Sequence, residues 1–248
     1  FKEIREAIGR TVDRLIHLDN NITDHLINQA FNSMITPETY DGVHESCYNL
    51  LNKLTEGKSL PFSRIKQLVL SKYEYAQKIG TLLFKQHIHM SELSMSELIE
   101  LGKCDVISIR EQLHTYFKNN VARVNVELED ALLIFNSEWK DVIVWACEYF
   151  KMHIDSQSWT LDMLLYICDH VKEEVQNLGR YLITVNFTEE KGLPLLIKLQ
   201  EHPNKNMQFF VTNYLDTYAE NNVEVILKLE PYFNTSMFNI NTHRATKT

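Results

Sequence analysis

The residues of this chain that could do chemistry are few, and most lack a companion at a useful spacing. His87-Ile-His89-Met90 offers two imidazoles and a thioether that could ligate a metal, but no carboxylate or cysteine at a fixed helical offset completes a set of three. The segment reads instead as a polar connector. Asp169-His170 is an acid–imidazole pair in a predicted turn, with no Ser or Cys nucleophile assigned to it by spacing. The motifs GxxxxGK(S/T), GxGxxG, HExxH and GxSxG are absent. No catalytic residue, cofactor or metal is therefore expected. Binding chemistry is better represented. Tyr181 and Phe209 stand near Asn177 and Asn213, a mixture of aromatic anchors and amide groups suited to gripping an extended peptide. Lys85, Lys118 and Lys151 recur at equal intervals and could hold phosphates or an acidic peptide. Each also falls in the last turn of a predicted helix, where a cation gains about 0.3–1 kcal/mol from the helix dipole.

What places these residues is an internal period. Five predicted helical stretches carry an apolar residue, a small or apolar residue four later and a bulky apolar residue four after that. They are Ala76-Gly80-Phe84, Ile109-Leu113-Phe117, Val142-Ala146-Phe150, Val175-Gly179-Ile183 and Met207-Val211-Leu215, stepping by 33, 33, 33 and 32 residues. Eight positions before each lies Leu68, Leu101, Ile134, Ile167 or Leu199. Eleven before lies Ile65, Leu98, Ala131, Leu164 or Leu196. Offsets of three, four and eight share one helix face, so each unit reads as two amphipathic helices, A then B, joined by a short polar turn. Ser94-x-x-Glu97 is a capping box, Thr160 precedes another helix A, and Gly192-Leu193-Pro194 sets Pro in a first turn. Gly80 and Gly179 hold the same repeat position, where the missing Cβ lets helix A approach helix B. Val43-Cys47-Leu51 extends the series backward, with an insertion around Thr36–Asp41 after a helix at roughly 22–34 and a further helix or cap at 2–18. Val225–Phe233 extends it forward as an incomplete last repeat, whose helix B near Ile240 is not finished.

If the triplets point into the core, helix B positions +2, +6 and +9 point away from it at 100° per residue. The face so defined carries Glu111, Thr115, Val144, Glu148, Asn177, Tyr181, Phe209 and Asn213 as candidate protein-binding residues. Lys85, Lys118 and Lys151 form a candidate phosphate-binding column along the same array. The acidic run Glu127–Asp130 precedes a helix A, where negative charge suits a helix N-terminus.

Composition agrees with an all-helical chain. Seven Gly and five Pro in 248 residues are few, against roughly seventeen and twelve at average usage, which disfavours turn-rich sheet folds and phosphate-loop folds. A net charge of −8 disfavours bulk nucleic acid or an anionic membrane as the main partner. Cys47, Cys104, Cys147 and Cys168 contain no CxxC pair and read as reduced, buried and intracellular, in the cytoplasm. The chain starts without Met and ends on THRATKT, so it is expected to be a piece of a longer one.

The period, with Ile109-Arg110 at the start of a helix B and the stretches 136–150 and 202–215, resembles HEAT or armadillo-like helical repeats. That resemblance implies a right-handed α-solenoid over 1–248. Residues 1–60 would be irregular N-terminal helices or a cap, 61–220 regular repeats and 221–248 the incomplete end. It further implies a non-catalytic scaffold whose B helices line a concave protein-binding face. Where the family has Arg or Lys after the first apolar residue, this chain has Gln77, Arg110, Ile143, Gln176 and Gln208, so a regular charged ladder is not expected. The alternative implied by the resemblance is a nucleic-acid-binding or DNA-repair array like the HEAT-built alkylpurine glycosylases. Trp139, Asp141, Trp145 and Arg110 supply the residue types for that reading.

Overall fold

The structure is a computed structural model, and it describes residues 7, 10–12, 20–58, 60–186, 189–199, 202–220, 222–231 and 233–234. Among them every regular element is helical. In chain order these are α1 (Asn20–Met34), α2 (Val43–Leu54), α3 (Phe62–Val69), α4 (Glu74–His87), α5 (Met95–Leu101), α6 (Ile107–Asn119), α7 (Val121–Val126) and α8 (Leu128–Ala131). They continue as α9 (Lys140–His153), α10 (Leu161–Cys168), α11 (Glu173–Asn186), α12 (Glu189–Leu199), α13 (Lys205–Ala219) and α14 (Val223–Lys228), with short 3-10 turns at Met90–Glu92, Leu132–Asn136 and Ser156–Ser158. The chain divides into two compact units, one of Phe1–Asn120 with Ser137–Trp139, the other of Val121–Asn136 with Lys140–Thr248. The helix expected at 2–18 and the helix B near Ile240 lie outside the described residues, apart from positions 7 and 10–12.

Burial follows the predicted phase. All fifteen residues of the five triplets, and all ten residues eight and eleven positions before them, are buried. Of the backward extension, Leu51 is buried while Val43 and Cys47 are half-buried. In the first unit α1 packs on α2, α3 on α4 and α5 on α6, and α2 lies beside α4. In the second, α10 packs on α11 and α12 on α13, with α9 beside α11, α11 beside α13 and α10 beside α12. Burying apolar surface supplies roughly 25 cal/mol per Å², so these shared faces carry most of the stabilisation of helices too short to persist alone.

Close approach sets the tightest of these pairs. A Cβ on Gly80 would lie 2.7 Å from Val69 N and 2.8 Å from Leu68 Cβ, and one on Gly179 would lie 2.6 Å from Cys168 Sγ. Both glycines sit where a B helix crosses its A helix, and a side chain there would force the pair apart.

The turns between A and B share a hydrogen-bond pattern that residue types alone do not announce. Ser71, Cys104, Ser137, His170 and His202 hold one repeat position, and four of the five accept the backbone N–H two residues on. Tyr73 N donates to Ser71 Oγ (3.2 Å), Trp139 N to Ser137 Oγ (3.3 Å), Lys172 N to His170 Nδ1 (3.2 Å) and Asn204 N to His202 Nδ1 (3.1 Å). The Cys104 thiol instead donates to Val106 O at 3.5 Å. The carbonyls of these turn residues are then met from six residues ahead. Gln77 Nε2 donates to Ser71 O, Arg110 Nη1 to Cys104 O, Gln176 Nε2 to His170 O and Gln208 Nε2 to His202 O, each at 2.7 Å. A buried carbonyl without a donor is costly, and one side chain satisfies each. Ile143 stands at the fifth position, buried and apolar.

Successive turns are also linked to each other. In the first unit Gln77 Nε2 reaches Asp105 Oδ2 (3.3 Å), Ser137 Oγ donates to Gly102 O (2.8 Å) and Trp139 Nε1 to Lys103 O (3.1 Å). In the second Lys172 Nζ donates to Phe135 O and Asn204 Nδ2 to Gln176 Oε1, both at 2.7 Å. The links are built mostly from amides and hydroxyls, which carry no charge to mark them in the sequence.

Local start signals are mixed. Ser94 and Glu97 form the expected reciprocal capping box, and Thr160 Oγ1 accepts from Met163 N. Gly192-Leu193-Pro194 does not open its helix: α12 begins at Glu189 and Pro194 lies inside it. Proline removes a single N–H, and the helix had already started three residues before Gly192. The helix A expected through Ala131 and Ile134 is broken into α7, α8 and a 3-10 turn, with Glu127 between the first two at φ −103°, ψ 33°. The ion pair of Glu127 with Arg123 (2.8 Å) sits at that break.

Candidate functional site

The outward face of the B helices is where the candidate residues meet solvent. Glu111, Thr115, Val144, Glu148, Asn177, Tyr181, Phe209 and Asn213 are all exposed, as are Lys85, Lys118 and Lys151. Each lies opposite a buried triplet on its own helix, as 100° per residue requires.

In the first unit the face belongs to α4 and α6 and is polar. Glu111 and Thr115 line an open groove of about 530 Å³ along α6, with Gln112, Tyr116, Asn119 and Met90. Thr115 Oγ1 donates to the carbonyl of Glu111 at 2.9 Å, so the hydroxyl oxygen remains an acceptor toward the groove while its proton is engaged. Lys85 and Lys118 lie on the last turns of α4 and α6.

In the second unit the face belongs to α9, α11 and α13 and is apolar for a surface. Val144 and Met152 on α9, Tyr181 and Val185 on α11 and Phe209 on α13 are exposed large apolar side chains. Exposed apolar side chains gathered on neighbouring helices are one mark of an interaction site. Lys151 crosses from α9 to lie 4.4 Å from the Tyr181 ring centroid, so the +9 and +6 positions of neighbouring helices meet in a cation–π contact. Lys151 also lies in the last turn of α9, as the dipole account expects, so the ring of the next B helix is a second partner for it. Asn177 accepts a hydrogen bond from Arg180 through Oδ1, which leaves its amide N–H groups for a ligand.

The residues that suggested a DNA-repair array are otherwise engaged. Arg110 is buried, bonded to Cys104 O, and its guanidinium lies 4.3 Å from the Trp139 ring centroid. The Trp139 indole donates to Lys103 O. Trp145 stacks on Tyr149 of its own helix at 5.4 Å. Asp141 is exposed in the first turn of α9.

Nor does a catalytic centre form around the other candidates. Among the described residues no group of three His, Cys, Asp or Glu is placed to hold a metal, so His87 and His89 gather no further ligand. His170 is buried edge-on to Phe135 and Tyr166, and burial together with nearby Lys172 lowers its pKa. Asp169 turns away to His202, whose Nε2 lies 3.2 Å from Asp169 Oδ1. Because His202 Nδ1 accepts from Asn204 N, the hydrogen-bond network assigns the ring proton to Nε2. Asp169 and His170 thus serve two successive turns and do not work as a pair. All four cysteines are free, but only Cys104 and Cys168 are buried; Cys47 and Cys147 are half-buried because their helix faces are only partly covered. Burial pushes the Cys104 thiol to about 11 and Cys147 and Cys168 to about 12, so none is a thiolate at neutral pH.

No helix among the described residues is long and apolar enough to cross a membrane. A scan of protein-family models, a search of curated proteins and a search of solved structures each return no match to this chain.

Proposed function

We propose that the helix pairs stack as a right-handed, HEAT-like solenoid and that the chain is a non-catalytic scaffold binding a protein or peptide on its B-helix face. Support for the stacking comes from the 25 buried positions that keep the predicted phase, and from the turn-to-turn links within each unit. One observation carries the binding reading: exposed Val144, Tyr181, Val185 and Phe209 lie on the outward sides of three adjacent helices, with Lys151 already held against Tyr181. A surface on regular helices needs little ordering on binding, which favours affinity. Among the described residues, the buried Arg110, the raised thiol pKa values and the separated acid–imidazole pair favour binding over catalysis.

Selection of a random peptide library against the whole chain, followed by titration calorimetry, tests the proposal. The selected peptides should lose tenfold or more in affinity to Tyr181→Ala, and Phe209→Ala should add to the loss. A parallel salt titration with DNA and RNA addresses the alternative. Salt-sensitive nucleic-acid binding that disappears on replacing Lys85, Lys118 and Lys151, with no peptide selected, would replace the scaffold reading by a nucleic-acid one.

A further inference from the structure

Trp159 follows the 3-10 turn Ser156–Ser158 and is 1% exposed, with its ring edge-on to Phe150 at 6.3 Å. Its indole N–H is buried and has no acceptor among the described residues. A buried donor left unmet costs about 1–3 kcal/mol, a large fraction of the stability of a domain this size. The same indole lines a cavity with apolar walls from Leu164, Ile183 and Leu195. Ser156 and Asn186 add a hydroxyl and an amide to the lining, and Gly192 adds no side chain to fill the space. The volume open to the centre of a water-sized sphere is about 20 Å³.

A purely apolar cavity stays dry, whereas a water molecule needs about 10–15 Å³ by this measure and two to four polar partners. We infer that this cavity is a binding site for a single water molecule that accepts from the Trp159 indole and donates to the Asn186 side-chain oxygen. The site joins three pieces of chain: the turn before α10, the end of α11 and the start of α12. It therefore fastens the connector of one helix pair to the pair that follows, independently of any role of the exposed face.

Nuclear magnetic resonance on the intact labelled chain tests the site. The Trp159 indole signal is identified by its loss in Trp159→Phe. It should show a cross-peak to the water resonance with the sign of a contact lasting beyond a nanosecond. Gly192→Ala, which adds a methyl group to a lining residue, should remove that cross-peak while the amide spectrum stays folded. Ser156→Ala should retain it, because a hydroxyl proton exchanging with bulk water would mimic the signal. Absence of the cross-peak in the native chain overturns the assignment, and so does its loss in Ser156→Ala.

Discussion

Single atoms decide the helix contacts at Gly80 and Gly179. A methyl group at Gly80 meets backbone atoms of α3 that cannot move without shifting the helix, whereas at Gly179 the nearest atom is the Cys168 sulfur. Helix propensity favours Ala over Gly by about 1 kcal/mol, but overpacking costs about 1–3 kcal/mol. Gly80→Ala is therefore expected to lower unfolding free energy in urea, and to lower it more than Gly179→Ala does. Equal effects, or a gain at Gly80, would show that α3 and α4 separate easily. Gln176→Leu belongs to the same scale. It strips the donor from His170 O and the acceptor from Asn204, and should cost about 1–3 kcal/mol by the same measurement. The special position of Gly80 and Gly179 was legible in the sequence because they recur one helix turn after an apolar residue. The work of Gln77, Gln176 and Gln208 was not. A glutamine at one position reads as ordinary surface, and its acceptor is a carbonyl, which has no letter of its own.

Each turn is a small hydrogen-bonded element, and at His170 its state depends on protonation. His170 must keep Nδ1 unprotonated to accept Lys172 N, and burial with Lys172 nearby lowers its pKa below the ordinary 6.5. Above pH 6.5 the ring is neutral in both folded and unfolded chains, and its contribution is fully present. As the pH falls below 6.5 the unfolded chain takes up the proton first, so stability declines until the folded-state pKa is passed. Urea unfolding at pH 7.5 and 5.5 should show this loss, and His170→Asn should reduce it, since an asparagine oxygen can accept the same amide without titrating. An unchanged pH dependence in that variant would place the titrating group elsewhere. At this scale the sequence predicted which segments are A helices, B helices and turns. It failed at the break in α7–α8 and at Pro194, because a capping or breaking signal competes with tertiary packing that one-dimensional spacing does not contain.

The whole molecule is where the proposed stacking meets measurement. A compact chain of this length would have a radius of gyration of about 18 Å, and an extended solenoid exceeds that clearly. Small-angle X-ray scattering should give a larger radius and an asymmetric distance distribution; a symmetric distribution near 18 Å would refute the solenoid. The core was legible at this scale because burial repeats with a period. The proposed binding face was legible only as directions on helices, since Lys151 meeting Tyr181 depends on how two neighbours pack. The six-residue reach from turn carbonyl to B-helix side chain has one more consequence, for length variation. It is intact at Ser71, Cys104, His170 and His202, although the last repeat step is 32 residues rather than 33. The missing residue must then have been absorbed between Gln176 and His202, outside both turns. Insertions, epitope tags and loop grafts should accordingly be accepted after a B helix, and rejected between an A helix and its B partner, where one added residue would put every donor out of step.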